Sequence, residues 1–158
     1  LLPLYIIVLV ISSSGFIASS VKATDQRIAQ ITSELSTQKV IQKHCDSYRL
    51  CRKVIEDCKS AKNPKAYRTK HQAEYQLHDS LKKELQDLGI TKIPSSNKIQ
   101  KRIEHLESEQ AATVREKQEL QKKQKTLDII QQNFTVLLNA PHISNNDINR
   151  TVAPPLQH

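Results

Sequence analysis

Tryptophan and methionine are absent, and aromatic residues make up 4% of the 158 residues against 25% charged. A core built on large rings is excluded, so whatever core forms must be thin. Glycine is nearly missing too: Gly15 and Gly89 are the only two. They lie too far apart to form a phosphate-cradling loop, which excludes nucleotide binding of that type. Between Phe16 and Ala140 the only helix breakers are Pro64, Gly89 and Pro94. Nothing divides this stretch into short strands, and long helices are the default.

Chemistry is short of parts as well. The six histidines, His44, His71, His78, His105, His142 and His158, include no pair at i+2 or i+4, the spacings by which a strand or helix offers two imidazoles to one metal. Cys45, Cys51 and Cys58 are three, an odd number, on one expected helix, which fits reduced thiols rather than a disulfide framework. A zinc site with His44 is the alternative, but Cys45 and Cys51 would stand roughly 9 Å apart along a helix axis, without knuckle spacing. Tyr48, Tyr67 and Tyr75 would need a base or metal held rigidly beside them to act as nucleophiles, and they read as seam or rim residues. Asn133 and Asn149 head glycosylation sequons that matter only in a secreted chain. No catalytic residue, cofactor or metal site is expected.

What the chain does have is positive charge. The net charge is +8, and it is uneven: Lys39, Lys43, Arg49, Arg52, Lys53, Lys59, Lys62, Lys65, Arg68 and Lys70 face only Asp46, Glu56 and Asp57, a local +7. Such a field concentrates polyanions, nucleic acid or anionic lipid. A solvated lysine-rich surface serving solubility has the same composition.

Residues 1–21 carry no charge, and Leu4 to Ile11 is a continuous apolar run followed by three serines and Gly15. Three readings fit. The segment spans a membrane, reaching the needed length only by counting its serines and glycine. It is a signal peptide without a basic leading region. Or the chain begins inside a truncated or rearranged reading frame. If it spans, Lys22 and Arg27 hold the following helix in the cytoplasm.

The expected fold is all-α, an elongated antiparallel helical hairpin or coiled coil. A basic first helix covers 24–62, with an apolar stripe through Ile28, Ile31, Leu35, Ile41, Cys45, Tyr48, Ile55 and Cys58. Asn63 and Pro64 are a cap and first-turn pair that opens a second helix over 63–89, with Tyr67, Leu77, Leu81, Leu85 and Leu88 inward and Gly89 as its stop. Ile90 to Pro94 form an extended connector, and Ser95 or Ser96 caps a third helix over 95–138, expected to be the longest. Its seam runs through Ile99, Ile103, Leu106, Leu120, Leu127, Phe134 and Leu138 at alternating steps of four and three, interrupted by Gln110, Thr113, Lys117, Gln124 and Gln131. Those polar positions weaken the seam and select register or partner. The second helix is too short to cover the third, so the first helix or a second chain must do so. Residues 139–158 read as a disordered tail.

From about Ile31 to Leu138 the chain resembles the helical C-terminal region of relaxases, the mobilisation nucleases of plasmids and integrative conjugative elements. The likeness rests on Tyr67, Arg68, His71, Glu74, Leu77, His78, Lys82, Lys83, Leu88 and Gly89, on the connector Lys92, Ile93, Pro94 and Ser95, and on Ile129, Ile130, Asn133 and Leu137 near the close of the long helix. Order and spacing together carry it. The resemblance implies a role in conjugative DNA processing without the catalytic portion, which lies nearer the N-terminus in that family; no catalytic residue carries over. The apolar residues 1 to about 24 depart from the family pattern.

Two functions are thus expected to compete. In the first, the ten basic residues of 39–70 contact DNA phosphates without base preference, and the long helix binds a relaxosome or coupling protein, or a second copy of itself. In the second, residues 1–21 anchor a structural coiled coil, with the basic helix on anionic headgroups. Localisation is cytoplasmic, with membrane attachment in the second case.

Overall fold

A computed structural model describes residues 2–140. The fold is all-α, with α1 (Leu2–Ser60), α2 (Pro64–Lys70), α3 (Gln72–Asp87) and α4 (Ser96–Asn139), and no strand among the described residues. The tail expected over 139–158 lies outside the described residues from position 141 on. The chain divides into two units, one of Leu1–Val21 with Glu119–His158, the other of Lys22–Gln118.

Three helix boundaries differ from those expected. First, the apolar stretch and the basic helix are one helix, so α1 with 59 residues, and not α4 with 44, is the longest. Ser12 to Ser14 and Gly15 are weak helix formers, but none of them removes a backbone donor as proline would. Second, α1 closes at Ser60 rather than 62, where Asn63 and Pro64 begin the next element. Third, the helix expected over 63–89 is broken at His71, whose φ of −109° and ψ of 27° leave the helical region. Two backbone bonds bridge the break, His71 N–H to the Tyr67 carbonyl at 3.0 Å and Tyr75 N–H to the His71 carbonyl at 3.3 Å.

The core belongs to the 22–118 unit. Ile31, Leu35, Ile41 and Cys45 of α1 meet Leu85 of α3 and Ile99, Ile103 and Leu106 of α4, with Tyr48, Ile90 and Ile93 packed at the edge. Leu106 and Leu85 are each 1% exposed, and a fully buried leucine contributes about 2 kcal/mol through area removed from water. Leu77 and Leu88, expected inward, are 48% and 42% exposed. Within this unit α1 and α4 run antiparallel. Polar contacts pair Asp25 with Lys117, Thr32 with Gln110, Gln42 with Gln100 and Arg49 with Ser96, one number rising as the other falls. The helix needed to cover the third is thus the first. Two of the polar seam positions are matched layers, Gln110 donating to Thr32 at 2.7 Å and Lys117 to Asp25 at 2.6 Å. Thr113, also in the seam, is buried, its hydroxyl donating to the Glu109 carbonyl at 2.9 Å. Matched polar layers penalise a slip of one helix past the other, which fixes register.

The connector is built from local signals. Asn63 Oδ1 accepts from the Ala66 N–H at 3.2 Å, opening α2 with Pro64 in its first turn. At the end of α3 the Gly89 N–H donates to the Gln86 carbonyl and the Ile90 N–H to the Leu85 carbonyl, at 2.9 and 2.8 Å. This is the Schellman arrangement, and Gly89 takes the φ of 78° that it requires. Ser95 then caps α4, its hydroxyl accepting from the Lys98 N–H at 3.3 Å.

The other unit pairs residues 2–21 of α1 with 119–139 of α4, again antiparallel. Gln124 donates to the Ser14 hydroxyl at 2.6 Å, and Ile7, Val10 and Ile11 share an apolar groove with Phe134 and Leu138. Its seam is thinner. Leu120, Leu127 and Phe134 are half-buried, and Leu138, expected within the interface, is 60% exposed.

Candidate nucleic-acid interface

The basic stretch is folded around the turn between α1 and α2. Helix α1 ends with Lys59 in its last turn, where a cation favours the partial negative charge of the helix C-terminus. The Ala61 N–H still donates to the Cys58 carbonyl at 3.3 Å. Asn63 then restarts the helix, so Lys59, Lys62 and Lys65 fall on the two rims and the crest of one turn. Below them the Cys58 thiol is buried and donates to the Pro64 carbonyl at 3.6 Å, tying the turn to the end of α1.

The ten basic residues sort into two groups. Arg49 is structural: its guanidinium donates to Asp46 Oδ1 and Ser96 Oγ, both at 2.7 Å, and to the Pro94 carbonyl, bolting the connector to α1. Lys39 pairs with Glu107 at 3.0 Å, and Arg52 with Glu56 at 2.8 Å one turn along α1. Lys43, Lys53, Lys59, Lys62, Lys65 and Lys70 are exposed, and among the described residues none has a carboxylate within ion-pair distance. Arg68, the tenth, is exposed and lies over the ring of Tyr75, 5.0 Å from its centroid. Three of these seven, Lys59, Lys62 and Lys65, sit on the α1–α2 turn, with Arg68 and Lys70 at the far end of α2. Lys43 stands apart, roughly 15 Å up the axis from Lys53 at 1.5 Å per residue.

Two phenols near the turn are shifted upward. Tyr75 is pushed above the ordinary phenol pKa, first by its hydrogen bond with Cys58 and then by burial. Burial raises Tyr67 likewise, and farther back along α1 it raises Cys45 and Cys51. A raised pKa keeps phenol and thiol protonated, the less nucleophilic form. Glu74 is held below the carboxylate range by its hydrogen bond with His71, 3.1 Å away. The imidazoles are packing elements: His78 stacks on Tyr48 with centroids 4.7 Å apart, and His44 meets Glu84 at 3.4 Å. The three cysteines are free and buried, and among the described residues no group of three or more His, Cys, Asp or Glu is placed to hold a metal.

A shallow groove runs beside the turn, lined by Lys65, Arg68, Thr69, Gln72, Tyr75 and Asp79. It joins two cations to an aromatic face, and sequence reading had set Tyr75 aside as a seam residue. No spacing in the sequence marks the contact, because Arg68 on α2 and Tyr75 on α3 meet across the break at His71. Positive charge, amide groups, a ring and one carboxylate, Asp79, thus share this surface. No family model, no curated protein and no solved structure matches the chain.

Proposed function

We propose that this chain is a non-catalytic helical module of conjugative DNA processing, of the kind its resemblance to relaxase C-terminal regions implies, and that it binds the DNA backbone through the α1–α2 turn. The observation that carries the reading is the sorting of the basic stretch. Lys39, Arg49 and Arg52 have protein partners, while Lys59, Lys62 and Lys65 on the turn, with Arg68 and Lys70 at the far end of α2, have no paired carboxylate among the described residues. Unpaired lysines release counterions from DNA on contact, whereas cations already paired have less to gain. A labelled oligonucleotide titrated by fluorescence anisotropy provides the test. Lys59, Lys62 and Lys65 changed together to Ala lower affinity by at least about tenfold at low salt, each phosphate contact being salt-dependent electrostatics. Equal affinity of parent and variant contradicts the proposal.

Coiled-coil partner binding, by a relaxosome or coupling protein or a second copy, belongs to the same proposal. Its support is the thin seam of Leu120, Leu127, Phe134 and Leu138.

A second reading, an anchor through residues 1–21, has its own support. An 18-residue window of α1 near the N-terminus reaches a mean hydropathy of 2.1 with no buried residue. Length and composition suit a membrane span or a signal sequence equally. Fractionation of lysed cells separates the outcomes, the anchor leaving the chain with membranes and its absence leaving it in the supernatant.

A further inference from the structure

Apolar side chains in the unit of residues 2–21 and 119–139 are not confined to its seam. On α1, Leu4, Tyr5, Val8, Leu9, Ile11 and Phe16 are exposed. At about 100° per residue they cover roughly 160° of helix surface, beside the stripe of Ile7, Val10, Ser14 and Ile17 that faces α4. From Leu4 to Ile11 no polar residue other than Tyr5 interrupts the helix, and a helix apolar nearly all round needs an apolar surrounding, where a single further helix would cover one face. On α4, Lys122, Lys125, Ile129 and Val136 follow at steps of three, four and seven, and all four are exposed. They form one outer face that turns from basic to apolar along the helix. Val136 and Leu137 are 70% and 71% exposed. Residues 4–21 and 129–139 contain no charge at all.

We propose that both arms of this unit dock on a lipid bilayer with anionic headgroups. Residues 4–11 and Ile129, Val136 and Leu137 enter the acyl boundary, and Lys122, Lys123 and Lys125, level with Ser14, meet the headgroup phosphates. The proposal rests on the anchor reading and deepens it: α4 shares the membrane surface, and the lysines set a lipid preference that an apolar span alone would lack. Lys122 pairs with Glu119 at 2.7 Å, an exposed pair that water already weakens. Charge complementarity favours lipid over a second copy, because anionic headgroups supply countercharges to the lysines, whereas the same face of a second copy, with Lys122, Lys125, Ile129 and Val136, offers none.

The test is flotation of the full 158-residue chain with vesicles of phosphatidylcholine alone and of phosphatidylcholine with phosphatidylserine. The parent binds both and prefers the anionic vesicles. Ile129→Ser, Val136→Ser and Leu137→Ser together weaken binding to both by at least about tenfold, from apolar area left in water. Lys122→Gln, Lys123→Gln and Lys125→Gln weaken binding to the anionic vesicles by about fivefold per lysine and leave the neutral ones unchanged. All six substitutions lie outside the seam, and circular dichroism checks that helix content is kept. If the serine variant binds as tightly as the parent, the share given to α4 is wrong while the anchor through α1 stands. If the glutamine variant keeps its preference, the role of the lysines is wrong. If the parent binds neither vesicle, both the inference and the anchor reading fail, and a dimer in lipid-free sedimentation would identify a second copy as the occupant.

Discussion

The same two helices make two different surfaces. In the 22–118 unit, α1 and α4 close over Ile31, Leu35, Ile99, Ile103 and Leu106 and carry charges outside, with Lys39 on Glu107 and Arg27 on Glu109. In the other unit the seam continues through Ser14 on Gln124 and the half-buried Leu127 and Phe134. Its outer faces are apolar: of the fourteen large hydrophobic side chains exposed among the described residues, ten lie here. A heptad phase therefore says which faces of two helices meet. The positions between differ, carrying charge in one unit and apolar side chains in the other.

The largest way to sharpen this contrast is to hollow out each seam. Leu106→Ala costs about 3 kcal/mol in urea unfolding, since a buried leucine leaves a cavity. Ile17→Ala costs about 1 kcal/mol or less, because a half-buried side chain has less to lose. Equal losses would mean that the two seams are packed alike.

Next comes Arg49, which the sequence presents as one of ten equal cations. Arg49→Ala lowers stability by about 2 kcal/mol through the hydrogen bonds that hold the connector. Lys53→Ala stays within about 0.5 kcal/mol, as exposed substitutions do. A neutral Arg49→Ala would return that residue to the DNA-facing group. Smaller again, Gly89→Ala costs about 1 kcal/mol by forcing a side chain into the left-handed region, read as a lower melting temperature.

The smallest effect is in acid. Arg27 donates to Glu109 at 2.7 Å, and this bond, with the attraction between the charges, holds the carboxyl below its ordinary range. A carboxylate whose folded pKa is depressed stabilises fully above its unfolded pKa and loses that contribution as pH falls through the folded value. Stability should therefore decline on the acid side of the carboxylate range, and Glu109→Gln should make the decline shallower. An unchanged acid limb would remove this pair from the account.

Local signals were readable from the sequence because neighbours decide them. Asn63 with Pro64, Gly89 past the end of α3, the serine cap at 95 and the seam phase of α4 each act within a few residues. The continuity of α1 was not readable, because a span, a signal peptide or a displaced reading frame each fits the apolar start, and none of them says whether the basic helix continues it without a break. Nor was the break at His71, where no proline or glycine marks the change. The candidate site was half legible. Composition located the basic stretch, but the partners that remove Arg49 and Lys39 from it, Pro94, Ser96 and Glu107, lie far along the chain and come near only on folding.

The most direct test of DNA binding by the α1–α2 turn is the affinity of the intact chain for a short duplex and for the matching single strand, across a salt series. A steep loss of affinity with salt is predicted, with little dependence on base sequence. The logarithmic slope should fall by about one unit for each of Lys59, Lys62 and Lys65 replaced by alanine, as expected for individual phosphate contacts. No binding at low salt, or a slope unchanged by the three replacements, would contradict it and leave the positive charge as solvated surface.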